Sequence, residues 1–272
     1  MIVTFFFMEI RMSKIMKTPS STPLSPRRRA ILVGASSGIG AALAHRLVDE
    51  GYIVALLARR EDMLEALAKE INQAYDETRA LSYVHDATDY GAVTELLKQI
   101  MSDIGGLDLF IYNAGISLSV GLKKFDFDKD RQTMEVNLFG ALAWLNPVAE
   151  IFQNLKSGQI VGISSVAGER GRVGNPSYNS SKAALTCYLE ALRNRLTRYG
   201  VHVLTVKPGF VQTDLIKNAK KLFWVIPPEQ AAKDIYNAIQ NRKQEIYTPG
   251  RWRWVMLIIR NIPSFIFRKM TF

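Results

Sequence analysis

The chain has 272 residues, 48% of them hydrophobic, which is ample for one large folded domain and too apolar for a disordered protein. A lone cysteine, Cys187, excludes an intramolecular disulfide framework and a cysteine-rich metal site. The formal charge of +10 resides at the two ends, so the balanced body between them lacks the charged face of a nucleic-acid module.

Residues 1–28 read as a disordered basic leader, with Arg11, Lys14, Lys17, Arg27 and Arg28 against Glu9. Their apolar run at 2–8 lacks the leading positive charge and the small-residue cleavage site of a secretory signal, so residues ahead of Met12 or Met16 are expected to be dispensable. The Pro, Ser and Thr run at 18–26 is a linker. From Arg29 onward, short apolar runs at 30–33, 52–57, 80–85, 107–112, 159–164, 201–207 and 245–247 alternate with helical patterns. The helices are expected at 39–50, 60–74, 90–104, 129–155, 177–199 and 228–241. Runs without strict polar alternation are strands buried on both faces, which requires helices on both sides. The expected fold is therefore α/β, a doubly wound parallel sheet in one domain over 29–250, followed by an apolar and basic tail at 251–272. Cys187 falls in an apolar helical stretch and is expected to be a buried small hydrophobe.

The first strand leads into Gly34, Ala35, Ser36, Ser37, Gly38, Ile39 and Gly40, and then directly into a helix. Glycines there let backbone approach a phosphate, and the helix N-terminus offers unpaired N–H groups and a positive dipole end. Strand before and helix after are the context that a dinucleotide loop requires. At the end of the second strand a carboxylate would bridge the ribose 2′-hydroxyl of NAD, whereas an arginine would pair with a 2′-phosphate. Arg59 and Arg60 stand there, and Ser37 adds a hydroxyl, so NADP(H) is the expected cofactor. Asp86 and Ala87 follow the third strand, where Asp86 is placed to accept from the adenine amine. Asn113, Ala114 and Gly115 end the fourth strand at the sheet edge where such folds bind ligands.

Ser177, Tyr178, Asn179, Ser180, Ser181 and Lys182 open a long helix, and the i,i+4 spacing puts Tyr178 and Lys182 on one face. A free phenol has a pKa of about 10, too high for a base at neutral pH. A neighbouring ammonium and a cationic nicotinamide ring would lower it and bring proton transfer into range. Ser165, closing the fifth strand, is positioned to donate to a carbonyl oxygen while Tyr178 protonates it. Three glycines in 166–175 suit a turn-rich loop joining the two. Asn137, in the middle of a helical pattern, is mildly unfavourable by propensity; a water held beside Lys182, a local kink or a buried hydrogen bond would each explain it.

On these motifs, residues 30 to about 248 resemble the short-chain dehydrogenase/reductase family, whose fold is a single-domain Rossmann fold. The resemblance implies a glycine loop at Gly34, Gly38 and Gly40 and an Asn-Ala-Gly segment at Asn113, Ala114 and Gly115. It also implies a catalytic tetrad of Asn137, Ser165, Tyr178 and Lys182. Pro208, Gly209, Val211 and Thr213 would contact the nicotinamide carboxamide and pyrophosphate. Tyr178 would be the acid/base, Ser165 would orient the carbonyl, Lys182 would bind the nicotinamide ribose and tune Tyr178, and Asn137 would support a proton-relay water. Transfer of the pro-S hydride and assembly into dimers or tetramers also follow from the resemblance. Three positions depart from the family pattern: Val33 for threonine, Tyr112 for asparagine and Gly162 for asparagine. The first two remove polar contacts that brace the cofactor loop in relatives.

The segment past Gly209 should lie over the active site, where Phe210, Leu215, Phe223 and Trp224 point to a hydrophobic ketone or alcohol. Lys217, Lys220 and Lys221 in the same segment read as solvated charges. A 3-oxoacyl-thioester reductase and a non-catalytic NADP(H)-binding regulatory or scaffold protein are the alternatives. His45, His85 and His202 show no ligand spacing and read as structural, and no metal is expected. The tail combines Trp252, Trp254, aliphatic residues and arginines, with Pro263 interrupting any helix. That composition suits peripheral contact with an anionic membrane; packing into an oligomer interface or over the substrate cleft is the rival reading. A cytoplasmic location, with peripheral membrane contact, follows as an expectation.

Overall fold

In the computed structural model, residues 28–217 and 222–270 are described. The leader up to Arg27, with its linker, and Lys220 and Lys221 lie outside them. β1 (Arg28–Val33) leads to α1 (Gly38–Asp49), then β2 (Tyr52–Ala58), α2 (Glu61–Tyr75), β3 (Ala80–Val84) and α3 (Val93–Ile104). β4 (Leu109–Tyr112) is followed by α4 (Phe127–Met134) and α5 (Gly140–Leu155), joined by a π-helical turn at Glu135–Phe139. The second half runs β5 (Gln159–Ile163), α6 (Pro176–Leu196), β6 (His202–Pro208), α7 (Pro228–Gln240) and β7 (Glu245–Thr248). Two tail helices follow, α8 (Trp252–Asn261) and α9 (Ser264–Phe267).

All six pairings are parallel, in the order β3-β2-β1-β4-β5-β6-β7. Parallel neighbours need long crossovers, which the intervening helices supply. β1 shows why its sequence has no polar alternation. Ala30 and Leu32 face a core with Leu43, Leu47, Leu64, Ile71, Ile235 and Ile239, while Ile31 and Val33 face a second core with Leu97, Ile100, Leu145, Val148, Leu185 and Leu189. Successive side chains point to opposite faces, so a strand covered on both must be apolar throughout. The order reverses between β1 and β4, and the carboxyl ends of these strands form the crevice where such sheets bind ligands.

Two local expectations are corrected. The single helix expected at 129–155 is broken by the π-turn at Asn137, because that side chain is recruited to bonds outside the helix. Such insertions are frequent at functional sites. Cys187 is exposed. α6 turns Ser181, Lys182, Leu185, Leu189, Leu192 and Leu196 inward, and Cys187, two residues past Leu185, falls on the opposite side.

The tail folds back on the domain. Trp252 and Met256 are buried against Val166 and Tyr247, with Phe210, Val255 and Ile259 packed beside them. A buried ionic cluster lies underneath. Lys207 Nζ sits 2.6 Å from Glu169 and 2.7 Å from Glu245, and Arg260 reaches Glu169 at 3.3 Å. The Tyr247 hydroxyl donates to Glu169 at 2.8 Å. Glu169 and Lys207 side chains are each only 5% exposed, so each charge depends on its partners for compensation.

Candidate active site

The glycine loop leaves β1 with Gly34 at φ +89° and Gly38 at φ +57°, a left-handed backbone that other residues rarely adopt. An added Cβ at Gly34 would lie 2.5 Å from the Ala114 amide nitrogen, and one at Gly40 would lie 2.0 Å from the Gly34 carbonyl oxygen. The loop is thus pressed against the Asn113–Ala114 turn, and Asn113 Nδ2 locks it by donating to Gly34 O at 2.6 Å. Ile39 packs beneath it with Val211, Ile226 and Ala231. The Val211 side chain therefore serves the core, and that of Ile39 packs on it while staying partly exposed.

At the end of β2 the two arginines part. Arg60 Nη2 reaches Ser36 Oγ at 3.0 Å and Ser37 Oγ at 2.6 Å, with Asp214 at 3.6 Å from its other nitrogen. Arg59 instead lies 3.7 Å from Asp86. Asp86 also accepts from the Thr88 amide and hydroxyl, at 2.9 and 2.8 Å. Those bonds, with Arg59, hold its carboxyl below the usual range against the opposing effect of burial. Ala87 is buried beside the start of α5, where its carbonyl oxygen would lie 2.6 Å from a Cβ added to Gly140. Thr213 closes the loop from the other side, its methyl 2.7 Å from a Cβ built on Gly38.

Three elements converge on the chemical groups. Ser164 Oγ donates to Lys182 O at 2.9 Å and bonds Thr186 Oγ1 at 2.6 Å, fastening the first turns of α6 to the end of β5. Asn137 is fully buried. Its Oδ1 accepts from the Ile116 amide at 2.7 Å, and its Nδ2 donates to Ile116 O at 2.9 Å and Ser181 Oγ at 3.0 Å. Both amide protons are therefore spent on structure, and one lone pair of Oδ1 is left for a water. Gly115 lies between these groups, since a Cβ there would be 3.2 Å from Lys182 Nζ and 3.3 Å from Asn137 Oδ1.

Lys182 Nζ donates to Ile163 O at 2.8 Å and lies 6.0 Å from the Tyr178 ring centre. Burial lowers its pKa from 10.5 to about 8. The Tyr178 phenol is driven up by burial, and the Ser165 hydroxyl and the Arg172 guanidinium pull it back down. The Arg172 guanidinium is thus a second cation near the phenol besides Lys182, one to which the sequence did not point. Ser165 Oγ accepts from the Ala167 amide at 3.0 Å, and its own proton has the Tyr178 phenol and, at 3.5 Å, Pro208 O within reach, so the two hydroxyls stand side by side.

Tyr112 and Gly162, two of the departures from the family pattern, have structural explanations. The Tyr112 hydroxyl donates to Val136 O at 2.6 Å, bracing the π-turn beside Asn137. Gly162 lets α6 close on β5, since a Cβ there would lie 2.2 Å from Leu189 Cδ1.

Past Gly209, Phe210 and Phe223 meet edge to face at 5.5 Å and Phe223 and Trp224 at 5.5 Å, while Trp252 lies 5.7 Å from Phe210 and 5.4 Å from Phe223. Leu215 stands apart, exposed on a 3-10 turn at Asp214–Ile216. Trp252 is a member that the sequence reading assigned to the tail. Its indole Nε1 is buried without a hydrogen-bond partner among the described residues, and it crowds Gly209, where a Cβ would come within 1.9 Å of it. Its i,i+4 spacing with Met256 was a usable signal, obscured because α8 is apolar on both faces. Arg172, in a glycine-rich loop, carried none. His85 accepts from Trp144 Nε1 at 3.2 Å within the core, and burial lowers its pKa. His45 does meet an acid, Glu70, at 3.7 Å on the surface.

Residues 28–222 match the family described as short chain dehydrogenase. An uncharacterized oxidoreductase from Myxococcus xanthus is 36% identical over 188 residues, covering 69% of this chain and 74% of that protein. A fatty acyl-CoA reductase from Acinetobacter baylyi is 32% identical over 223 residues, 80% of this chain and 75% of that protein. A short-chain type dehydrogenase/reductase from Mycobacterium marinum superposes with a TM-score of 0.73 at 25% identity, over 81% of this chain and 93% of that one. With its Rossmann sheet, its glycine loop and the sequence matches in agreement, this chain belongs to the short-chain dehydrogenase family.

Proposed function

We propose that this protein is an NADP(H)-dependent oxidoreductase that moves hydride between the nicotinamide and the carbonyl carbon of a hydrophobic ketone or secondary alcohol. The proximity of Ser165 and Lys182 to Tyr178, with Asn137 and Lys182 meeting at Gly115, supports the reading. The glycine loop offers the cradle that a dinucleotide needs, because Cβ atoms at Gly34 and Gly40 would fill it. Arg60, flanked by the Ser36 and Ser37 hydroxyls, would hold the ribose 2′-phosphate. Arg59 is engaged by Asp86 and is the lesser candidate. Asn113, Ala114, Gly115, Pro208, Gly209 and Thr213 would line the rest of the cofactor's path, and Lys182 would bind the nicotinamide ribose.

When bound, NADP(H) supplies or accepts the hydride. In reduction, Ser165 donates a hydrogen bond to the carbonyl oxygen and fixes the carbonyl orientation. Tyr178 gives its phenolic proton to the same oxygen as negative charge develops there, and the Lys182 ammonium stabilises the phenolate left behind. Oxidation runs the same transfers backward. Phe210, Phe223, Trp224 and Trp252 supply an apolar wall, which favours a substrate with a large hydrophobic part.

A second reading is a 3-oxoacyl-thioester reductase; the fatty acyl-CoA reductase among the relatives supports its acyl-thioester part alone. A screen of ketones, alcohols and 3-oxoacyl thioesters of matched chain length, run with NADPH and NADH in parallel, separates the two. Tyr178→Phe should bind NADPH and lose most turnover on the best substrate; a rate near the parent's would refute the assigned proton donor. No cofactor oxidation across the whole panel would leave a non-catalytic NADP(H)-binding protein.

A further inference from the structure

Helix α8 carries apolar residues on both of its faces. Trp252, Val255, Met256 and Ile259 pack inward. On the opposite side Trp254 is 66% exposed and Ile258 68%, with Leu257 between them, and α9 adds Phe265 and Ile266. A surface helix normally turns polar residues to the side away from its core, and contiguous exposed apolar groups mark a contact site. The helix pair is held in one orientation. Arg170 Nη1 donates to Ile259 O and Ile262 O, each at 2.6 Å, and its guanidinium lies 3.9 Å from the Phe267 ring centre. Arg260 is anchored to buried Glu169 at 3.3 Å.

A second exposed apolar stretch lies beside the start of α8. Phe223, Trp224 and Val225 are 50%, 42% and 40% exposed. Trp224 lies 5.8 Å from Trp252 and beneath the Arg251 guanidinium at 5.0 Å. Basic groups accompany this face: Arg251, Arg253, Arg268 and Lys269 have no acidic partner among the described residues, and positions 251–272 contain no acid. Among the described residues no helix is long and apolar enough to cross a membrane.

We propose that α8, α9 and the 222–225 segment together form a docking face for an anionic lipid bilayer, lying in its interface. Tryptophan and aliphatic groups enter the headgroup boundary while the surrounding cations meet anionic headgroups. A second copy of the chain suits the face less well. A two-fold contact sets a patch against itself, and here that would bring cations onto cations without an intervening acid. Because Phe223, Trp224 and Trp252 also wall the site, the docked face would open the cleft toward lipid. That last consequence rests on the proposed oxidoreductase reading, whereas the docking does not.

The test is flotation of the full chain with vesicles of phosphatidylcholine alone and of phosphatidylcholine and phosphatidylglycerol in equal amounts. Binding should require the anionic lipid, and Arg253→Gln should weaken it by about fivefold, the effect of one interfacial cation. Trp254→Glu and Ile258→Glu should weaken it further while keeping the parent's melting temperature and NADPH affinity, since both side chains point to solvent. Equal flotation with neutral vesicles, or parental binding by all three variants, would overturn the proposal. So would a parent dimer that Ile258→Glu converts to monomer without any vesicle binding, the signature of a second copy as the occupant. Tyr178→Phe should bind vesicles like the parent, so loss of docking and failure of the catalytic assignment read out separately.

Discussion

Lys182 is a lysine folded into a place that penalises its charge, and the penalty can be measured. Its Nζ has a protein partner in Ile163 O at 2.8 Å, and burial brings its pKa from 10.5 to about 8. With that value the free enzyme is about nine-tenths ammonium at pH 7 and about one-tenth at pH 9. Initial rates at saturating carbonyl and limiting NADPH give a kcat/KM that reports the free enzyme's groups. It should be level below pH 7 and fall about tenfold between pH 7 and pH 9. At saturating NADPH the limb should move to higher pH, because nearby phosphate charge favours the ammonium. A lysine with a depressed folded pKa leaves the unfolded chain binding more protons between about pH 8 and 10.5. Its contribution to stability therefore rises with pH across that window, and the full penalty, roughly 3 kcal/mol at most, applies below it. Lys182→Met should remove both the kinetic limb, with most of the activity, and this component of the stability profile. A kcat/KM unchanged from pH 7 to pH 10 would refute the reasoning, since it would mean that burial is not felt at the ammonium.

Other substitutions test separate parts of the site and fold. Burial keeps the Tyr178 phenol protonated at neutral pH, so carbonyl reduction should run well at pH 7 and alcohol oxidation should climb toward alkaline pH. Arg172→Leu should push that alkaline limb higher while altering reduction at pH 7 little; an unmoved limb would show that the arginine's field does not reach the phenol. Arg60→Ala should raise the KM for NADPH by about 10- to 100-fold, the worth of lost charge-assisted bonds, and leave NADH use nearly unchanged. The same loss with both cofactors, or a larger one from Arg59→Ala, would place the phosphate elsewhere. Lys207→Met should destabilise the fold by about 3–5 kcal/mol in denaturant titrations, because it leaves Glu169 and Glu245 facing each other without their shared ammonium. A cost under about 1 kcal/mol would mean that water already screens the cluster.

The strands, the crossover helices and the glycine loop were legible in the chain because each is set by local rules. An apolar run without alternation requires cover on both faces, a glycine between strand and helix answers a steric demand, and Tyr178 and Lys182 share a face by the helical repeat alone. Those rules act over a few residues and are written in their order. Other features depend on neighbours far along the chain, and only the fold decided them. Arg60 rather than Arg59 turns to the serines because Asp86, after the next strand, takes the other guanidinium. The π-turn at Asn137 follows from bonds to Ile116 and Ser181, on different elements. The field of Arg172 reaches the phenol, and Trp252 closes on Gly209, through folding of a loop and a tail whose local sequence permits many paths. Cys187 shows the same limit, since an apolar helical stretch fixes the spacing of its inward residues but leaves which side faces in to be chosen by packing on β5.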